Sequence, residues 1–284
     1  MQSDFHRDRA AEPQASTGDS SLAAELAKAS LMVVGRGWGP QQGGEYPSMF
    51  GLTDSDLAGK TVWDVAGGVA SFSAETRQFG ADSFSLDPLY RYSISEILEL
   101  ARGQLDKFQR AYQGNDFTEV ASGRRSAWLV EHPHPAVDTV PKLLTARQNS
   151  LELFARDFVA NTDRYVDYSL PGIDQEAILE HLPKPDLITI GNCLMAYAGK
   201  DEFNLGVHVR SLATLYRELK SGGTIRVFPF GSDGMNFGHN PEASRGFAPT
   251  ELLDALARRE ISFRVVESEY RFVRGWSHRL ELYK

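Results

Sequence analysis

The sequence has a single cysteine, Cys193, in 284 residues. That excludes an internal disulfide framework and fits a reducing compartment. No apolar run approaches the roughly 20 residues that a membrane-spanning helix requires, and the N-terminus carries charges where a signal peptide needs an apolar segment. Positive charge is scarce: 30 Lys and Arg against 38 Asp and Glu give a net charge of −8 and a pI near 5.4. Such a balance argues against a protein that tracks a phosphate backbone. The seven histidines form no metal signature, because the pair in His132-Pro-His134 lacks an evident third ligand. The chain also lacks Gly-x-Gly-x-x-Gly, and its glycine-rich stretch has no Gly-Lys-Ser/Thr ending, so neither a dinucleotide fingerprint nor a phosphate loop is present. The expectation is a soluble cytoplasmic protein with a small-molecule substrate, no nucleic acid, no membrane and no metal. The oligomeric state is left open.

With 42% hydrophobic residues the chain can bury a full core as one large domain or one domain with an insertion. Its organising stretch is Lys60-Thr-Val-Trp-Asp-Val-Ala-Gly-Gly-Val-Ala-Ser-Phe72, followed by Ser85-Leu-Asp-Pro-Leu-Tyr90. The first piece reads as a buried strand, Thr61 to Ala66, a turn at Gly67 and Gly68, and a helix over Ser71 to Phe79. The second reads as a strand ending in Asp87. Glycines admit close backbone approach, a helix start offers N–H groups, and an acid about 20 residues on can take ribose hydroxyls. Together these features describe a nucleoside site at the carboxyl edge of a parallel sheet.

Around this stretch, residues 1–19 read as a mobile polar tail, and residues 20–54 as an N-terminal segment with a helix capped by Ser20 or Ser21 and stopped at Gly35. The glycine-dense run from Gly35 to Phe50 is either a flexible surface connection or a lid whose Trp38, Tyr46 and Phe50 close over a ligand. Residues 55–284 form the main domain. An insertion at about 91–163 carries helices near Ser93 to Gln113 and Val140 to Ala160, and reads as a decorated crossover or a substrate cap. A short strand, Arg164 to Val166, presents Asp167 or Tyr168. The apolar run Pro185 to Ile190 is a strand buried on both faces and delivers Gly191, Asn192, Cys193 and Tyr197 to the same edge. A helix from about Asp201 to Leu219 stops at Lys220-Ser-Gly-Gly223 and feeds the strand Thr224 to Phe230. A helix over Pro249 to Arg259 and strands over Ser262 to Glu267 and His278 to Tyr283 complete the pattern.

Asp64, Gly67, Gly68 and Asp87, with Leu219-Lys-Ser-Gly-Gly223 before a strand, resemble the class I S-adenosylmethionine-dependent methyltransferases. One motif glycine of that family is replaced here by Ala70 or Ser71. The resemblance covers roughly residues 55 to 284 apart from the insertion. It implies an α/β, Rossmann-like, seven-stranded and mostly parallel sheet with helices on both faces and an antiparallel end. It also implies S-adenosyl-L-methionine, as cofactor or as substrate, held by Asp64, Ala66, Gly67, Gly68, Asp87 and Pro88. Asp167 or Tyr168 would meet the adenine, and Asn192 would lie nearest the transferred methyl. Tyr197 and His239 are further candidates for catalysis, His239 as a base in the loop after the fifth strand. Cys193 reads as a small buried hydrophobe. Methyl transfer to a small metabolite is the leading expectation, and a non-catalytic S-adenosylmethionine-binding module is the least favoured alternative. Relatives with this fold also cyclise S-adenosylmethionine to azetidine-2-carboxylate with release of methylthioadenosine, or transfer its aminocarboxypropyl chain, and no residue decides between these reactions.

Overall fold

In a computed structural model, the described residues are 35–111, 137–170, 175–191, 193–194, 204–230, 247–270 and 277–284. The expected helix between Ser20 and Gly35 lies outside them. Seven strands form one sheet: β1 (Thr61–Val65), β2 (Asp82–Leu86), β3 (Tyr165–Val166), β4 (Leu187–Gly191), β5 (Thr224–Phe230), β6 (Ser262–Glu267) and β7 (His278–Tyr283), in the order β3-β2-β1-β4-β5-β7-β6. The pairs up to β5 are parallel, while β7 runs antiparallel to both β5 and β6. This is the mostly parallel α/β sheet with an antiparallel end that the sequence led us to expect. Strand order reverses between β1 and β4, and ligands of open α/β sheets bind in the crevice beyond such a switch point.

The strand sequences explain why the sheet is covered on both sides. All five residues of β1 are buried, as a strand with helices over both faces requires. Trp63, Ile188 and Val227 face one core, which α7 (Leu205–Glu218) and α8 (Pro249–Ala257) cover through Leu212, Leu215, Leu252 and Leu256. Their neighbours Val62, Leu187 and Phe228 face a second core, built with α1 (Glu45–Phe50), α3 (Phe72–Thr76) and α5 (Val140–Ala160). Alternation of side chains along each strand sorts these residues between the two faces. Two short helices, α2 (Asp54–Leu57) and α6 (Glu176–Glu180), and the amphipathic α4 (Ile94–Ala111) complete the set. Among the described residues, no helix is long and apolar enough to cross a membrane.

Local chemistry sets the helix ends. Thr139 caps α5 by accepting the Lys142 N–H at 3.3 Å, with Pro141 in the first turn. Asn204 caps α7 through the Val207 N–H at 3.1 Å, so that helix starts at Leu205 rather than near Asp201. The helix expected over Ser71 to Phe79 is α3 followed by a tighter turn, Arg77–Phe79, which ends at Gly80 in the left-handed conformation. Within the insertion, α5 carries Phe154 and Phe158 onto Tyr90 and Tyr165, with Phe154 and Tyr165 edge to face at 5.5 Å. This aromatic cluster makes α5 part of the layer over the sheet.

The aromatic residues expected as a lid are built into the second core instead. Phe50 is fully buried and Tyr46 is 4% exposed; Tyr46 stacks on Phe72 at 4.2 Å, and Trp38 packs on Phe72 and Phe79. Each fully buried ring of this kind contributes about 1.5–3 kcal/mol, so lifting them together would cost much of a domain's stability. A buried ion pair holds the same segment. Arg147 of α5 grips both carboxylate oxygens of Glu45 on α1, while the Tyr270 hydroxyl donates to Glu45 Oε1 at 2.5 Å. The pair is solvent-free at Glu45 and links segments more than 100 residues apart in sequence. Removing Arg147 leaves Glu45 in a dry interior without its bidentate partner, and Arg36, 3.5 Å away, offsets the loss only in part. Arg147→Met is therefore expected to cost about 3–5 kcal/mol in urea unfolding, and a loss under about 1 kcal/mol would show that the buried pair does not form.

Candidate functional site

The carboxyl ends of β1, β2 and β4 meet at the switch point, and the turn after β1 fills the space between them. Ala66 adopts φ 59° and Gly68 φ 54°, both left-handed. For alanine that conformation costs about 1–2 kcal/mol, and the Ala66 N–H donates to the Leu86 carbonyl at 2.7 Å, which extends the β1–β2 pairing past the last ladder residue. Gly67 is required by contact rather than by conformation. A Cβ there would fall 2.2 Å from Ser85 Oγ, 2.8 Å from Asp64 Oδ2 and 3.2 Å from the Tyr90 hydroxyl.

Beneath the turn, Asp64 on β1 is 1% exposed and stands opposite Thr189 of β4 in the strand register. It accepts hydrogen bonds from Thr189 Oγ1 at 2.8 Å and from the Tyr46 hydroxyl at 3.0 Å. Burial outweighs those bonds and pushes its carboxyl up to about 7, with the Asp87 charge adding to the rise. Asp64 thus lies under the glycine turn with both oxygens engaged by the protein's own hydroxyls.

Asp87 ends β2 and clasps the same turn from the other side. Its Oδ2 accepts the Gly68 N–H at 3.0 Å and its Oδ1 the Leu89 N–H at 2.9 Å. Pro88 opens the tight turn that follows, with Asp87 as its cap. Burial raises the Asp87 carboxyl to about 6 despite those two bonds, and Asp167 nearby adds to the rise. Each carboxylate oxygen offers two lone-pair directions, so both can accept a further donor such as one hydroxyl of a ribose. Sequence reasoning did not single out Tyr90. Its hydroxyl donates to the Gly68 carbonyl at 2.7 Å and pairs with Ser85 Oγ at 2.7 Å, locking the turn against β2. The only signal was an aromatic residue one helical turn past Asp87.

The remaining candidates separate. Asp167 is partly exposed and pairs with Arg91 at 3.1 Å, beside Asp87. Tyr168, its neighbour, turns into the first core, where it is 1% exposed and its hydroxyl has no partner among the described residues. The two side chains thus lie in different surroundings, Asp167 beside Asp87 and Tyr168 in the first core. Asn192, Tyr197 and His239 lie outside the described residues. Cys193 is half-buried, and burial with the Asp87 charge pushes its thiol up to about 12, far from a thiolate at neutral pH. Among the described residues, no group of three or more His, Cys, Asp or Glu side chains is placed to hold a metal.

The segment from Gly35 to Gly39 closes the turn from above. Glu75 of α3 accepts the backbone N–H groups of Trp38 and Gly39, each at 2.7 Å, and the Ser71 hydroxyl at 2.7 Å. The Ser71 N–H, expected to stand open at the helix start, donates to the Arg36 carbonyl at 3.1 Å, and Ser150 Oγ of α5 donates to that same carbonyl at 3.2 Å. The protein thus uses for its own chain an N–H that a phosphate would otherwise take.

No protein-family profile matches the chain. It is 26% identical over 237 residues to a Methanocaldococcus jannaschii protein described as uncharacterized protein MJ0045, covering 81% of this chain and 88% of that one. Among solved structures it is similar to cofactor-bound Rv0187 from MTB, at 15% identity, 93% of each chain and a TM-score of 0.40. It is also similar to a precorrin-6y C5,15-methyltransferase from Geobacter metallireducens GS-15, at 15% identity, 81% of this chain, 86% of that one and a TM-score of 0.37. Likenesses this distant carry no chemistry, and the fold rests on the strand order itself.

The raised carboxyl of Asp64 fixes the sign of a pH effect. A folded-state value near 7, against 3.8 for an unperturbed aspartate, means that the folded chain holds this proton more tightly than the unfolded chain does. Its contribution to stability is full below pH 4 and is lost as pH rises towards 7. Asp64→Asn is expected to escape this loss, so wild type should fall relative to the variant by about 2–4 kcal/mol between pH 4.5 and pH 8 in denaturant titrations. A difference that is flat with pH would mean that Asp64 is ordinarily ionised and solvated.

Proposed function

We propose that the chain is an S-adenosylmethionine-dependent methyltransferase acting on a small metabolite. The observation that carries this reading is the Asp87 carboxylate, set at the end of β2 and braced by the Gly68 and Leu89 N–H groups beside the switch point. An acid in that place suits a ribose diol, and the tight Gly67-Gly68 backbone beside it has no side chain to keep a nucleoside away. The donor set fits a nucleoside better than a dinucleotide. One N–H at the start of α3 is consumed by Arg36, and no Gly-x-Gly-x-x-Gly is present to admit a pyrophosphate.

In this reading Asp87 holds the ribose, and Asp167 at the edge of β3 faces the base. Asn192 and Tyr197 follow β4 in the sequence and are candidates for contact at the reacting carbon, and His239 is a candidate base for an acceptor that must lose a proton. Bound S-adenosylmethionine supplies an electrophilic methyl on its sulfonium. The chain's own task is to orient the acceptor in line and to keep water away, and the packed Trp38, Tyr46 and Phe72 rings stiffen the segment that closes the turn. The net charge of −8 favours a small acceptor over a nucleic acid.

The test is to incubate the purified chain with S-adenosylmethionine, with and without a panel of small acids, phenols and amines, and to follow products by mass spectrometry against an enzyme-free control. The expected result is S-adenosylhomocysteine that appears only with an acceptor. Methylthioadenosine above the control in the absence of any acceptor would overturn methyl transfer in favour of intramolecular attack on the sulfonium.

A further inference from the structure

Two acids share the turn after β1, and they are held in different ways. Asp87 accepts backbone N–H groups, from Gly68 and from Leu89. An N–H can only donate, so those bonds suit the ionised carboxylate. Asp64 accepts hydroxyls instead, from Thr189 at 2.8 Å and from Tyr46 at 3.0 Å. A hydroxyl donates one hydrogen and also offers lone pairs, so the same two partners can accept from a proton carried by Asp64. Asp64 can therefore be charged or neutral with the neighbours it has.

Nothing among the described residues balances Asp64 with positive charge. It is 1% exposed, and the titratable groups that face it are Tyr46 from α1, Asp87 at the end of β2 and Tyr90 beyond it. None of these is a cation. Arg36 is paired with Glu45, and Arg91 with Asp167. A buried carboxylate is rarely left without a counter-charge, and burial together with the Asp87 charge raises the Asp64 carboxyl to about 7. Near neutral pH the acid is thus divided between its two forms, and a charge brought close to it shifts the balance.

A ribose on Asp87 would bring such a charge. In S-adenosylmethionine one methylene carbon joins the sulfonium to the ribose ring, and the two acids meet one turn, Asp87 at the Gly68 N–H and Asp64 beneath Gly67. Methyl transfer removes the charge, because the product is a neutral thioether. We propose that Asp64 makes this edge sensitive to the charge of its ligand: it keeps a proton beside a thioether and gives that proton to solvent when a sulfonium binds. This rests on the cofactor reading above. The ionised acid attracts the sulfonium across a dry edge, where such forces are little screened. Once the methyl has left, Asp64 takes a proton back, and the attraction that favoured the cofactor over the product goes with it. Asp64 in this way sets specificity through space, without touching the methyl.

The experiment counts the protons released when S-adenosylmethionine and S-adenosylhomocysteine bind at pH 7, by calorimetry in buffers of different ionisation heat, for wild type and for Asp64→Asn. Both ligands carry an amine that can itself titrate. A second pair without an amine is therefore measured alongside: 5′-dimethylsulfonio-5′-deoxyadenosine, which is charged, and 5′-methylthioadenosine, which is neutral. The expected result is that in wild type each sulfonium releases about half a proton more than its thioether, and that the excess is lost in Asp64→Asn. Because binding of the sulfonium releases a proton, its advantage over the thioether should also grow on the order of three- to tenfold between pH 6 and pH 8 in wild type and stay flat in the variant. Equal proton counts for charged and neutral ligands, an excess confined to the pair with amines, or an excess that survives in Asp64→Asn would overturn the proposal and leave the cofactor reading standing. Failure of wild type to bind either S-adenosyl compound would overturn that reading and the proposal with it. Should Asp64→Asn not fold, the amine-free pair on wild type decides.

Discussion

One carboxylate closes the carboxyl edge of this sheet. Asp87 takes the Gly68 N–H with one oxygen and the Leu89 N–H with the other, so the end of β2 and the turn after β1 are held as one rigid piece. Tyr90 reinforces that piece through the Gly68 carbonyl and Ser85. Without the clasp, the left-handed Ala66 and Gly68 would have little to keep them in a conformation that costs an alanine energy. The position of the turn at the switch point follows from these few bonds.

The same edge concentrates buried charge, and this limits how the fold can vary. Asp64 and Asp87 both sit where desolvation outweighs their hydrogen bonds; the Asp87 charge raises the Asp64 carboxyl further, and the Asp167 charge raises that of Asp87. Around them, Glu45 and Glu75 bind the N-terminal segment to α5 and α3 through Arg147 and through the backbone of Trp38 and Gly39. Buried ions of this kind add little net stability, but a single broken partner is costly. The arrangement therefore favours one geometry strongly over its alternatives, as the proposed transfer to an acceptor would require.

Much of the frame was legible in the sequence because it rests on local signals. The helix over Val140–Ala160 and the strands over Ser262–Glu267 and His278–Tyr283 emerge at their expected bounds, since periodic apolar residues, a threonine cap and an early proline all act within a few positions. Asp87 could be placed at a strand end for the same reason. The glycine-dense run around Trp38, Tyr46 and Phe50 was misleading: its composition reads as a loop or lid, whereas long-range burial packs those rings against Phe72 and Phe228. Pairings such as Glu45 with Arg147, or Tyr46 with Asp64, join residues far apart in the chain and leave no trace in spacing. Tyr168 was read beside Asp167 because both follow β3, but its ring is buried in the first core.

The central claim is that Asp87 at this edge receives a ribose, and the most direct measurement is calorimetric titration of the chain with S-adenosylhomocysteine at several pH values, alongside Asp87→Asn. The account predicts one-to-one binding that weakens as pH falls through about 6, where the carboxylate gains its proton and loses an acceptor. It further predicts affinity on the order of tenfold or more lower in the variant. Absence of binding by wild type, or the same affinity and the same pH dependence in Asp87→Asn, would contradict it.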